Sequence, residues 1–238
     1  MKKQFLSIVT GLSLLMTVNA YAQFSAGLSG GYNRNYLYTN VGYRAYTQYQ
    51  PVDGFSLSIP IKYTINNWLA VQTEAQFIQK NYRVNRNDFL QGIYNTTMNQ
   101  YLQLPIMGHF SFGGQQLKGF LNLGGYAGYW ATSLNNGVTA GLSSKMVDDF
   151  KYYLDVKENI AYNESHTFDE RKDRRLELGW LTGLGISYQL ARYTLFIEGR
   201  YSQSFLDQQK NYMLNQIPRY NQTYMAQIGC LFLLRNPH

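Results

Sequence analysis

Glu74, Glu198, Arg200 and His109 are the residues of this chain whose types could do acid–base chemistry together. Each falls on the polar side of an alternating segment. A carboxylate poised between a guanidinium and an imidazole can take up or release a proton. The same four residues, joined by Lys62 and Glu177, can also form an ion-pair network that fills a narrow interior. Buried carboxylates are costly unless paired and hydrogen-bonded. Lys62 and Arg200 are the cations on hand for Glu74, Glu177 and Glu198, so the network is the expected arrangement. No substrate-sized space accompanies the set, and no catalytic, cofactor-binding or metal-binding residue is assigned.

Other catalytic signatures do not assemble. His109 and His166 are the only histidines before His238. One is expected within a barrel wall and the other in an outer loop, and no His/Cys/carboxylate spacing suits zinc. Asp148, Asp149 and Asp169 lack the spacing of a calcium loop. No G-x-S-x-G, P-loop or dinucleotide fingerprint stands in a supporting context. Cys230, the single cysteine, sits on an apolar face and reads as a small hydrophobe. The chain is expected to be non-enzymatic and to need no cofactor.

Two stretches could bind a partner instead. The first holds Tyr36, Tyr38, Tyr43, Tyr46 and Tyr49. They could stack on sugars or anchor a protein, or else form cross-strand pairs that extend a hairpin. The second, residues 131–175, carries eight acidic and seven basic residues, 15 of the 35 charges in the whole chain. Tyr152, Tyr153, Arg171 and Arg174 stand out there as a candidate docking surface. The alternative is a solvated, partly helical loop making internal ion pairs. A loop of this length is usually functional or disordered.

The elements that must position these residues follow from a period of two. Phe55, Leu57, Ile59, Ile61, Tyr63 and Ile65 alternate with Gly54, Ser56, Ser58, Pro60, Lys62 and Thr64. Leu69, Val71, Thr73, Ala75 and Phe77 alternate with polar residues that include Gln72, Glu74 and Gln76. Six further segments begin near Phe24, Leu102, Leu121, Leu178, Tyr193 and Tyr224, which makes eight strands. Short connections at Asn66-Asn67, Gly113–Gln116 and Ala191-Arg192 alternate with long ones at about 33–53, 81–100, 131–174 and 203–222. Short periplasmic turns, long extracellular loops and an even strand number define an up-and-down transmembrane barrel.

A soluble barrel would also alternate, but with its apolar face inward. Here aromatic residues close both ends of the apolar faces. Phe24, Tyr63, Phe110, Phe112, Tyr188, Tyr193 and Phe232 fall at one end; Tyr32, Phe55, Phe77, Tyr129, Trp180, Tyr201 and Tyr224 fall at the other. Leu, Ile, Val, Ala, Gly and Thr lie between them without a charge. Two aromatic girdles around an aliphatic band identify a face that meets lipid. The fold class is therefore all-β: an eight-stranded antiparallel up-and-down transmembrane β-barrel. Such a barrel is just wide enough for side chains to fill it, so a plugged interior is expected.

Residues 1–22 read as a cleaved export signal: Lys2 and Lys3, an apolar stretch from Phe5 to Val18, then Ala20-Tyr21-Ala22. Residues 23–238 would be the mature barrel. Losing Lys2 and Lys3 takes Lys plus Arg from 21 to 19 against 14 acidic residues, leaving +5. That modest charge suits outer-membrane lipid and lipopolysaccharide as partners. No Lys/Arg run resembles a nucleic-acid patch. With 22 Tyr, 13 Phe and 3 Trp the chain is not of disordered composition.

Several short motifs together resemble the PorT-like outer-membrane β-barrel family of Bacteroidota. Leu69-Ala70-Val71-Gln72-Thr73-Glu74-Ala75 is similar to its third-strand pattern, and Tyr101-Leu102-Gln103-Leu104-Pro105-Ile106 to the stretch opening its fourth strand. Gly183-Leu184-Gly185-Ile186 and Glu198-Gly199-Arg200-Tyr201 resemble its sixth and seventh strands. Gln103 stands where the family commonly has Glu, and the chain ends in His238 rather than an aromatic residue. The resemblance implies an accessory or scaffold role in envelope assembly or type IX-like secretion, with envelope or secretion-apparatus proteins as partners. The Tyr-rich and charged loops imply the alternative, a surface-exposed binding or adhesion protein.

Overall fold

The apolar side chains of the strands face outward and the polar ones inward, which is the reverse of a soluble barrel. Leu28 is 69% exposed and Ile228 64%, whereas Glu74 and Glu198 are 0% and 1% exposed. Only a surrounding lipid phase makes that arrangement favourable, because it leaves a continuous hydrocarbon surface outside. The computed structural model describes residues 23–39, 47–87, 92–148, 151–214 and 216–234, giving the backbone alone for 141–148 and 151–158. The export signal expected over residues 1–22, Tyr43, Tyr46, Asp149 and His238 lie outside the described residues.

All elements among the described residues are strands: β1 (Gln23–Tyr38), β2 (Thr47–Thr64), β3 (Leu69–Gln79), β4 (Tyr82–Arg86), β5 (Tyr94–Gly113), β6 (Leu117–Asp148), β7 (Lys151–Ser165), β8 (Leu176–Leu190), β9 (Tyr193–Ser204) and β10 (Tyr220–Leu233). Eight of them close a ring in the order β1-β2-β3-β5-β6-β8-β9-β10, and β10 pairs back onto β1 from Ser25↔Leu233 to Tyr38↔Tyr220. Closure leaves the membrane-spanning wall without an edge, as a lipid environment requires. The aromatic ends pair across strands: Phe24 with Tyr63 and Tyr193 with Phe232 at one rim, Tyr201 with Tyr224 and Trp180 at the other.

The two further strands replace much of what the sequence pattern assigned to loops. β4 pairs with the outer ends of β2 and β5, and β7 pairs with the outer half of β6. β6 runs for 32 residues, about three times the roughly 9–11 residues that cross a bilayer. The charged stretch 131–175 is thus mostly a β-hairpin arm, not a partly helical loop. Polar residues stand at both odd and even positions along its sequence, so no apolar alternation marked it. Register shifts at Gly141/Leu142 and Met146/Asp148 bend it.

Two prolines interrupt the wall at mid-height. The β1–β2 register skips Gly27-Leu28 opposite Ile59-Pro60, and the β3–β5 register skips Glu74-Ala75 opposite Leu104-Pro105. Proline brings no N–H to a ladder. The β2–β3 hairpin is therefore flanked by a seam on each side, and Thr73 Oγ1 donates to the Pro105 carbonyl across one of them (2.9 Å).

Candidate functional site

The lumen is filled in layers. At mid-height Arg200 of β9 crosses to β3, with Nη1 and Nη2 donating to Glu74 at 2.9 and 2.7 Å. The same guanidinium donates to Glu198 through Nε at 2.9 Å and Nη2 at 3.0 Å. Gln72 donates to Glu74 (2.9 Å), while Asn122 (3.0 Å) and Gln227 (2.7 Å) donate to Glu198. Two carboxylates thus share one cation and three neutral donors. Every carboxylate oxygen of Glu74 and Glu198 accepts at least one hydrogen bond. Bidentate geometry of this kind fixes side chains in place.

The layer above joins residues far apart in the chain. Lys80, fully buried just after β3, pairs with Glu177 at the start of β8. Glu177 also accepts from Tyr126 Oη (2.7 Å) and Asn221 Nδ2 (2.6 Å), and the ammonium lies over the Tyr101 and Tyr126 rings. Lys80, absent from the sequence-based set, is therefore the partner of Glu177. Lys62 pairs with none of the three glutamates; it lies nearer the short turns. Strand height explains both, since Lys80 is thirteen residues past Asn67 and Glu177 fourteen before Ala191. Counting from the turns would have found the pair.

Sequence reasoning also missed the apolar filling between these layers. Met107, Tyr126 and Leu181 form one buried cluster; Phe120, Phe196 and Leu231 form another. The hollows that admit large interior groups are glycines on the adjoining strand, such as Gly183 beside Glu198 and Gly185 beside Phe120. A Cβ at Gly183 would come 2.0 Å from Glu198 Oε1. Gly183→Ala should push that carboxylate off Arg200 and lower stability by about 1–3 kcal/mol, measured by urea unfolding in lipid vesicles.

The outer end is capped. Trp130 stacks between Tyr101 (6.1 Å) and His166 (5.6 Å), with Phe168 edge-on. Arg175 clamps the cap by donating to the Trp130 and Ala131 carbonyls, both at 3.0 Å. Beside it lies a polar chamber of about 220 Å³ walled by Asn95, Trp130, Ser133, His166 and Arg219. Trp130 Nε1 and Ser133 Oγ are buried there without a hydrogen-bond partner among the described residues.

The candidate loop residues that the structure describes are held by local contacts. Tyr36 packs edge-on against Tyr224 (5.6 Å) and Tyr38 pairs with Tyr220, so both extend the β1–β10 ribbon. Arg171 is 85% exposed and reaches Asp169 at 3.5 Å. Arg174 is half-buried, its amide donating to the Gln208 carbonyl. Tyr152 and Tyr153 sit on β7 opposite Met146 and Lys145, with their side chains outside the description. Asp169 accepts from the Arg171 amide (2.9 Å), which holds its carboxyl below the usual range, so it serves its own turn.

A family model described as "Outer membrane protein beta-barrel domain" matches residues 19–208. Among solved structures, the chain is similar to OprG from Pseudomonas aeruginosa, with 10% identity over 92% of this chain and 98% of that one and a TM-score of 0.48. It is also similar to Neisserial surface protein A, with 11% identity, 88% and 96% coverage and a TM-score of 0.43. Ail of Yersinia pestis, solved with the heparin analogue sucrose octasulfate, gives 16%, 88%, 99% and 0.42. No curated protein matches.

Proposed function

We propose that this chain, which belongs to the outer membrane protein beta-barrel domain family, is a non-enzymatic scaffold that displays a docking arm at the cell surface. Outer-membrane localisation follows from the family; residues 1–22 are proposed as the export signal and residues 23–238 as the mature barrel. The observation that carries the reading is the β6–β7 arm. β7 pairs with β6 alone among the described residues, so its other edge offers N–H and C=O groups to an incoming strand. Lys151, Asp155, Lys157 and Glu158 along β7 supply the charges that keep such an edge from self-association. A filled lumen gives the barrel no competing role as an open pore.

The partner is an envelope or secretion-apparatus protein, and the PorT-like motifs direct the choice toward type IX-like secretion in a member of the Bacteroidota. Lipid and lipopolysaccharide surround the wall, and the exposed Arg171 belongs to the docking face. A clean deletion should leave normally exported cargo in the periplasm, restored by complementation, when secretome and periplasm are compared. An unchanged secretome would remove the secretion role. The polar chamber beside Trp130 favours a second reading, surface binding of a hydroxyl-rich ligand such as a glycan. Saturable glycan binding by the intact protein, weakened by Ser133→Val, would select it.

A further inference from the structure

The charge pattern of the lumen changes abruptly at its periplasmic end. In the two upper layers each buried cation has a carboxylate: Arg200 has Glu74 and Glu198, and Lys80 has Glu177. The mouth between the short turns holds Lys62, Lys118 and Arg192 around a cavity of about 240 Å³ whose lining, among the described residues, includes no Asp or Glu. Lys62 and Lys118 both line this one cavity. Ser25 flanks Lys62 in register and Ser187 flanks Lys118, and both serines line the same cavity.

The ceiling of the mouth is equally defined. Asn122 uses Nδ2 on Glu198, so its Oδ1, 2.7 Å from His109 Nδ1, must accept, which fixes a proton on Nδ1. His109 and the Phe120 ring behind it (4.8 Å) separate the mouth from the mid-height carboxylates. Those carboxylates already have full sets of donors, so they do not serve Lys62. Converging cations and hydroxyls without an acidic partner, in a concave site open to the periplasm, have the chemistry of an oxyanion receptor.

We propose that the periplasmic mouth binds a phosphate-bearing anion between Lys62 and Lys118. The group comes either from a soluble periplasmic phosphate compound or from the headgroup of an inner-leaflet lipid. This site is independent of the arm and of any secretion role.

Titrating inorganic phosphate into the full-length detergent-solubilised protein at low salt, followed by calorimetry, should give saturable binding. Lys62→Gln should weaken it at least about tenfold, and Lys62→Arg should largely restore it. Lys62→Gln/Lys118→Gln should abolish it, while the outer-surface Lys210→Gln leaves it unchanged. Repeating the titration in nanodiscs separates the sources. Phosphate binding lost when phosphatidylglycerol replaces phosphatidylcholine marks the lipid headgroup as occupant, and binding retained in both marks a soluble anion. Absence of saturable binding by the unaltered protein in every setting would overturn the proposal. So would unchanged affinity in a folded Lys62→Gln protein, with folding checked by heat-modifiable migration.

Discussion

Arg200→Met should lower the unfolding free energy by about 3–5 kcal/mol, the range for removing one partner of a buried ion pair. Two carboxylates would be left facing each other in a lumen that offers only Gln72, Asn122 and Gln227 as donors. The position magnifies the loss. Glu74 lies on the β2–β3 hairpin at the height where Pro60 and Pro105 interrupt both flanking ladders. The Arg200–Glu74 bonds tie that hairpin to β9 across the lumen, so they hold in place the part of the wall that its own backbone holds least. The expected signature is therefore a lower urea midpoint in vesicles together with faster amide exchange confined to β2 and β3. Glu74→Gln/Glu198→Gln/Arg200→Met should recover much of the loss, because it removes both stranded charges. Equal stability of Arg200→Met and the unaltered protein would mean that water or a proton already neutralises the site.

The barrel was legible from residue types because alternation needs no distant context: Leu57, Ile59 and Ile61 declare a face whatever they pair with. Strand height was less legible. Lys62 and Glu74 share the polar face of adjoining strands, yet one belongs to the mouth and the other to the middle layer, a difference set by distance from the Asn66-Asn67 turn. Lys80 escaped notice because it follows the last alternating residue of β3, and its partner is 97 positions away. The arm was illegible for another reason. Alternation reports a boundary between lipid and lumen, and above the membrane both faces meet water, so β6 continues beyond Ala131 without a pattern to show it.

That same independence from the lipid boundary makes the arm separable. Asn136 pairs with Asn163, and above them β6 and β7 bond chiefly to each other, with only Val138 and Gly137 still paired to β5. Replacing residues 137–162 by Asn-Gly joins that pair through a two-residue hairpin turn. A wider cut through Asp173 would also remove His166 and Phe168 from the cap on Trp130 and confuse two effects. The narrow excision should leave heat-modifiable folding intact and stability within about 1 kcal/mol, since it removes few contacts to the wall. It should nevertheless fail to complement the deletion strain. Full complementation would show that the arm is dispensable and would end the docking reading. Loss of folding would instead assign the arm to barrel assembly. Because the lipid-facing wall and the layered lumen close without it, the separation of a stable barrel from an inactive one is the expected result.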